Sequence, residues 1–448
     1  MGDTWWEAIG ARLHAGGIAL VLVIGATLPG HAAPQTPTAR DVLVGWNQLI
    51  LELVRHTPTY SPPVASRAFA YLGVTAYETV ASGDGELVSL AGQLNALEPL
   101  PRRAPDVVYE EAIVLHAAMR FGANAFFGNT GPTGQRAMEA MGSRTMAMLI
   151  DGIDGDVVAR STALGTAIGQ HILQWSLDDG GAVVENLGFP YDFEAVEDPA
   201  IWVPTNRVAV QQAPLLPGWR HNRPFAMPAG NSCALPPPPT FSEVPGSAFH
   251  DEAMEVYDAV INLSQEQETI ARFWSDDPML SPTPPGHWIF LTLDALEGQN
   301  ADLAETADVL ARLGVVLADA FIGCWDSKYQ YNLVRPVTYL NRLVDASWQP
   351  ILITPPFPEY PSGHSTQSGA AAGMLEAHFG SNFAFSDRTH EDDGLAVRHF
   401  SSFWEAAEEA AISRLYGGIH FRSAIEQGLE QGQCIAGFTN ALVTRAQS

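Results

Sequence analysis

From residue 38 onward the chain repeats one pattern, apolar residues spaced three and four apart. Val42, Leu43, Trp46, Leu49, Ile50 and Leu53 fall on one stripe of a helix over 38–56, as an amphipathic helix requires. Similar stretches predict helices over 64–82, 105–121, 134–150, 156–176, 247–262, 265–275, 285–297, 300–325, 363–379, 394–416 and 422–444. The two-residue alternation of a half-buried strand is nearly absent. The fold class is therefore read as all-α, built of helical bundles. Residues 186–246 break the pattern. They are rich in Pro, Gly and Asn, including Pro236–Pro239, and read as a long irregular connection that joins two bundles or covers a site. The chain then divides into an N-terminal helical half, 33–185, and a C-terminal half, 247–448. The Asp151–Asp156 stretch looks calcium-like, but it lacks the twelve-residue loop ending in Glu and reads as a helix–helix turn.

Residues 16–28 form an uncharged apolar run preceded by Arg12. With the small residues of Gly30-His31-Ala32, they predict a signal peptide over 1–32 and an exported, periplasmic or extracellular protein, with an uncleaved anchor as the lesser option because Asp3 and Glu7 offset Arg12. The run is shorter than a membrane span of about 18–20 residues, and no later segment looks transmembrane. Cys233, Cys324 and Cys434 show no C-x-x-C spacing, so a zinc or thioredoxin-like motif is unsupported. They leave room for one disulfide, and Cys324, in an apolar helical run, reads as a buried thiol.

Charge narrows the partners. The 23 Lys and Arg face 50 Asp and Glu, a net −27, which argues against nucleic acid. Against that background, three short segments concentrate cations and histidines. Lys328 and Arg335 are seven residues apart, close to two helical turns, and Pro336 predicts that their helix ends at Arg335. Pro361-Ser362-Gly363-His364 precedes a run of small residues. Ser362 suits an N-cap, and the free amides beyond it suit an anion. His364 projects there as a general acid or base would. In Ser413–His420, Arg414 and His420 lie on different faces of one continuous helix. Gly417-Gly418 supplies the break that brings them together, with Arg414 closing one helix and His420 opening the next. Each segment alone reads more readily as ordinary helix surface, helix start or joint.

Taken together, Lys-x6-Arg-Pro, Pro-Ser-Gly-His and Ser-Arg-x5-His, in that order, resemble the superfamily of vanadium-dependent haloperoxidases and type 2 phosphatidic-acid phosphatases. The resemblance covers about 328–420 and implies a haloperoxidase-like helical fold. It implies that Lys328, Arg335 and Arg414 bind the oxygens of vanadate or phosphate, with Ser362 and the Gly363 amide adding hydrogen bonds. His420 is implied as the vanadium ligand, or as the nucleophile of a phosphatase. His364 exchanges protons at the apical oxygen, and Lys328 polarises bound peroxide.

Trp325 and Phe357 tilt the resemblance to the haloperoxidase branch, where aromatic residues line the halide side, and Phe357 leans towards a site able to oxidise chloride. The Phe273–Asp277 and Thr283–Pro285 segments also resemble that branch, with Asp277 as the implied buttress and His287 as a supporting or substrate-side residue. The implied partners are hydrogen peroxide, a halide and an organic acceptor, with homo-oligomerisation open. The acid phosphatase and a non-catalytic oxyanion-binding protein are the alternatives. One position departs from the family: where an aspartate normally orients the last histidine, this chain has Ala424. A backbone carbonyl or Glu426 is the expected substitute.

Overall fold

The computed structural model describes residues 36–183, 196–205, 213–277 and 279–446. The leader expected at 1–32, and residues 184–195 and 206–212 of the irregular segment, lie outside the described residues. The N-terminal half contributes α1 (Ala39–Arg55), α2 (Pro62–Ala81), α3 (Glu111–Phe126), α4 (Gly131–Leu149) and α5 (Gly155–Leu177). The C-terminal half contributes α6 (Ala248–Ile261), α7 (Gln265–Phe273), α8 (Thr283–Gly298), α9 (Leu303–Tyr331), α10 (Pro336–Leu343), α11 (Gly363–Phe379), α12 (Phe403–Tyr416) and α13 (Arg422–Asn440). The molecule is mostly helical, as the periodicity predicts.

Many helices begin where a short polar side chain can accept from the first free amides. Thr38 and Asp41 close a capping box on α1, and Asp154, Ser247, Asp302 and Ser402 cap α5, α6, α9 and α12. The turn predicted at Asp151–Asp156 joins α4 to α5.

Helices α2 and α9 are buried on nearly every side, as befits central helices apolar all round. They touch at glycines: a Cβ on Gly73 would lie 2.9 Å from the Leu310 carbonyl oxygen, and one on Gly314 2.8 Å from Ala70 Cα. One hydrophobic core runs from Val42 to Ala436, so the two halves share it. Among its described residues the irregular segment has one short 3-10 turn, Pro217–His221. It is tied to α13 by the Cys233–Cys434 disulfide, and Cys324 is a buried free thiol. Among the described residues, no helix is long and apolar enough to cross a membrane.

Two expectations are corrected. The helix expected over 394–416 starts only at Phe403, because Arg398–Phe400 (β2) pairs antiparallel with Phe385–Asp387 (β1). The helix carrying Lys328 does not reach Arg335. It stops at Tyr331, where Asn332 turns left-handed (φ 46°) and its amide closes on the Lys328 carbonyl. Asn is among the few residues that adopt this conformation readily. Leu333 then bridges to Ile201, and Arg335 becomes the extended residue before α10, with Pro336 in its first turn. A proline there needs no amide hydrogen bond, so it starts a helix where the sequence reading placed only an ending.

Candidate active site

A cavity of about 570 Å³ opens among α2, α11, α12 and the loops before α8 and α11; His364, Arg414 and His420 line its polar end. The three motif segments therefore meet, although Lys328 and Arg335 no longer share a helix face. Helix α11 starts at Gly363, and Ser362 caps it by accepting from the Ser365 amide at 3.3 Å. Ser362 and the Gly363 amide are thus presented at a helix N-terminus, where anions are favoured. Helix α12 ends at Tyr416, and Gly418 takes φ +77°. The chain turns there so that His420, just before α13, comes back towards Arg414.

His420 is held by a residue the sequence reading missed. Its Nδ1 lies 2.8 Å from Glu359 Oε1, and the Phe421 amide donates to the same oxygen at 2.8 Å. The Phe421 amide uses Oε1 as an acceptor, and an Nδ1–H donated to the same oxygen leaves Nε2 its lone pair; burial pushes the Glu359 pKa up to about 8, while Arg335 and Lys328 favour its charged form. Burial, then Arg335, Lys328 and Arg414, hold the His420 pKa well below its ordinary value, so the ring is neutral. Glu359 therefore supplies what Ala424 lacks. Glu426 does not: it pairs with Arg422 at 3.7 Å. The Ala424 carbonyl accepts from the Ser362 amide instead. One signal of Glu359 was available: a lone carboxylate in the Pro-rich run 355–361 is buried only with a partner.

The cations differ in what they still have to offer. Arg335 donates from Nε to the Phe357 carbonyl (2.9 Å) and from Nη1 to Ile419 O (2.9 Å) and His420 Nε2 (3.1 Å). Its buried Nη2 has no partner. Arg414 Nη1 reaches His364 Nε2 at 3.2 Å. Lys328 donates to the carbonyls of Pro358 (2.9 Å), Glu359 (3.0 Å) and Pro361. All three of its protons are engaged, so it anchors the loop bearing Glu359 and reaches an oxyanion only by exchanging one of them. Burial pushes its pKa down to about 7, while three carbonyl acceptors favour the charged form.

His364 rests on a second network. Its Nε2 is 3.9 Å from Asp276 Oδ2. Burial, then Arg414, lowers its pKa well below the ordinary value, and a hydrogen bond to the Trp274 backbone opposes the shift. Asp276, rather than the expected Asp277, faces His364; its backbone takes a left-handed φ of 49° there, which sets the direction of its side chain. Asp277 lines the cavity, half-buried, its pKa raised by burial and lowered in part by Arg414. Asp276 in turn meets fully buried His287, whose Nδ1 is 2.9 Å from Asp276 Oδ1 and whose Nε2 is 2.8 Å from Asp387 Oδ2. Burial disfavours a charged His287, but the two carboxylates raise its pKa to about 10. His390 completes the cluster, 3.6 Å from Asp276 and 3.2 Å from Asp393. Asp276, His287 and His390 present possible metal-ligand atoms within 4.8 Å of one another. Both nitrogens of His287 already face carboxylates, however, so the set is an ion cluster closed by protons.

Trp325 and Phe357 form the expected aromatic wall, ring centroids 5.0 Å apart. Lys328 Nζ and the Arg335 guanidinium each lie 5.0 Å from the Phe357 ring centre.

Comparison with known proteins places this geometry. The family model for the second helical-bundle domain of VCPO matches residues 308–448. A crystal structure described as the first bacterial vanadium-dependent iodoperoxidase superposes with a TM-score of 0.84 at 37% identity, covering 92% of this chain and 99% of that one. The chain belongs to the vanadium-dependent haloperoxidases. Vanadium chloroperoxidase of Curvularia inaequalis is 25% identical over 256 residues, 42% of each chain. The vanadium-dependent bromoperoxidase of Ascophyllum nodosum is 30% identical over 178 residues, 36% of this chain and 29% of that one. The chain thus spans under half the length of these two relatives. A holo-type bacterial chloroperoxidase, at 15% identity and a TM-score of 0.67, shares the fold.

The residues present fit vanadate, the family's cofactor. Arg335 Nη2 is a buried donor without a partner and its Nη1 meets His420 Nε2, Gly363, Arg414 and His420 line the cavity, and Ser362 caps the helix that starts at Gly363. That is a donor set for an oxyanion with one nitrogen ligand at its centre.

Proposed function

We propose that this chain is a vanadate-dependent haloperoxidase, which uses hydrogen peroxide to oxidise halide to hypohalous acid or an equivalent halogenating species. The observation that carries the reading is the Glu359–His420 pair. It fixes a neutral imidazole whose Nε2 lone pair is turned to the cations, where it meets Arg335 Nη1 at 3.1 Å and stands where a vanadium ligand is needed. Bound vanadate supplies a pentavalent Lewis acid that activates peroxide. Arg335, Arg414, Ser362 and the Gly363 amide hold its oxygens and balance their charge. Neutral His364 takes a proton from incoming peroxide at Nε2, and Asp276 stabilises the imidazolium that results. Trp325 and Phe357 exclude water on one side, leaving a place for a weakly hydrated halide.

Iodide is the expected first substrate. It is the most easily oxidised of the three halides considered, and the solved relative matched over 99% of its length is described as an iodoperoxidase. The Phe357 lean towards chloride is the finer alternative. The test is vanadate-dependent peroxide consumption with iodide, bromide and chloride, beside hydrolysis of p-nitrophenyl phosphate. Phosphatase activity without halide oxidation overturns the reading.

We also propose that the protein works outside the cytoplasm. The apolar run at 16–28 and the Cys233–Cys434 disulfide support this, since disulfides persist in oxidising compartments. Recovery of the expressed chain only from the cytoplasm, with its N-terminus intact, sinks the placement.

A further inference from the structure

In the irregular segment, the backbone of Leu215 joins two walls of the molecule. Its amide donates to the Pro356 carbonyl at 2.7 Å. Its carbonyl accepts twice, from Trp325 Nε1 at 3.2 Å and from the Tyr329 hydroxyl at 2.6 Å. Trp325 and Phe357 are the two rings of the aromatic wall, and Pro356 directly precedes Phe357. Leu215 therefore ties one ring to the loop that carries the other.

This tie is fastened from α9. Leu216 takes a left-handed φ of 51° with its side chain buried. A bulky residue keeps that conformation only where its surroundings impose it. Tyr329 holds Leu215, Asp326 pairs with Arg220 at 3.2 Å, and buried Asp319 accepts from the amides of Phe225, Ala226 and Met227 at 2.6, 2.8 and 2.9 Å. Asp319 and Asp326 are seven residues apart and Tyr329 is three further on, so they face the segment along one stripe of the helix. Of these three, Tyr329 is the one bonded to the Leu215 carbonyl. The vanadate end has separate fixings. Lys328 holds the carbonyls of Pro358, Glu359 and Pro361, and Arg335 holds that of Phe357.

We infer that Tyr329 is a positioning residue for the halide step: through the Leu215 backbone it sets the spacing of Trp325 and Phe357, and so how well water is kept from the halide. The inference rests on the haloperoxidase reading above. Tyr329 does not line the cavity and touches no reactant. Without its hydroxyl, the strained turn at Leu215-Leu216 loses a tie to α9. The indole of Trp325 and the Pro356 side of the loop then lose their common fixed point. The oxyanion cradle keeps its own fixings, so vanadate and peroxide are handled as before.

Tyr329→Phe removes the hydroxyl and keeps the ring. Tyr331→Phe is the matched control. Its hydroxyl donates to the Leu235 carbonyl at 2.7 Å, tying the same segment to α9, and neither residue lines the cavity. Each vanadate-loaded protein is assayed with iodide varied at saturating peroxide and with peroxide varied at saturating iodide. Vanadate affinity is titrated separately. In Tyr329→Phe, kcat/KM for iodide is expected to fall about threefold to tenfold, the worth of one hydrogen bond, with kcat/KM for peroxide and vanadate affinity held within about twofold. Tyr331→Phe is expected to leave all three within about twofold of wild type. Iodide kinetics unchanged in Tyr329→Phe, with iodide still oxidised, overturn the inference and leave the function standing. Equal falls in the iodide and peroxide values also overturn it, since they mean general loosening. So does the same iodide-selective loss in Tyr331→Phe. A wild-type protein that oxidises no halide removes the function and the inference with it.

Discussion

The two histidines at the polar end of the cavity, His420 buried and His364 half-buried, are both neutral and beside arginines, yet they are supported in opposite ways. His420 points Nδ1 at a carboxylate, Glu359, at hydrogen-bonding distance, and turns Nε2 to the cations. His364 faces a carboxylate, Asp276, with Nε2 itself, at 3.9 Å. In the first case the carboxylate fixes which nitrogen is protonated and leaves a lone pair to bind. In the second it waits beside the nitrogen whose protonation must change. A histidine beside a carboxylate thus makes a ligand in one case and a proton carrier in the other, by the choice of ring nitrogen.

Substitutions should separate the two roles. His420→Ala is expected to reduce vanadate-dependent halide oxidation to background and to abolish vanadate binding, followed by titration of the metal-free protein. Retained halogenation would break the ligand assignment. His364→Ala should lower kcat/KM for peroxide by roughly 10²–10⁴, the usual worth of a general acid or base, with vanadate affinity changed much less. Equal losses in both quantities would erase the contrast. Glu359→Gln should weaken vanadate binding by about 10–100-fold, the scale for a residue behind a metal-bound histidine. An unchanged affinity would mean that the Ile419–Phe421 backbone alone orients the ring.

His287→Gln tests the network behind Asp276 through stability. The folded pKa of His287 is raised to about 10, against about 6.5 for an unperturbed histidine. Its contribution is therefore complete below about pH 6.5 and is lost as pH rises through about 10. The drop in Tm relative to wild type should be largest at pH 6 and smallest near pH 10, by calorimetry. A drop that grows with pH would mean His287 is buried neutral. The smallest effect belongs to Asp277→Asn, expected to change peroxide kinetics less than about threefold, because its neighbour Asp276 faces His364. A loss as large as that of His364→Ala would restore Asp277 as the buttress.

The sequence carried the helices and the oxyanion cradle because both are written locally. Periodicity marks α1, and Pro-Ser-Gly-His contains its own cap, amides and imidazole. What it missed depends on distant residues. Glu359 acts on His420 across 61 positions, and Asp387 reaches His287 across 100; no local pattern announces either. The exchange of Asp277 for Asp276 has a different cause. In an irregular segment the side chain follows the local backbone, left-handed at Asp276, and only the fold fixes that. The break at Asn332 was hidden because Asn marks a left-handed turn far less strongly than Gly, so Pro336 drew the boundary to itself.

The Cys233–Cys434 bond reaches beyond the segment it fastens. It joins residues 201 positions apart, and the loop it closes contains Trp325, Lys328, Arg335, Glu359, His364, Arg414 and His420. A cross-link across so long a loop narrows the unfolded ensemble by about 5 kcal/mol in the chain-entropy account. The residues of the site can therefore never drift as far apart as their order along the chain would allow. If the chain is exported as proposed, an oxidising compartment would keep that restraint for the life of the molecule.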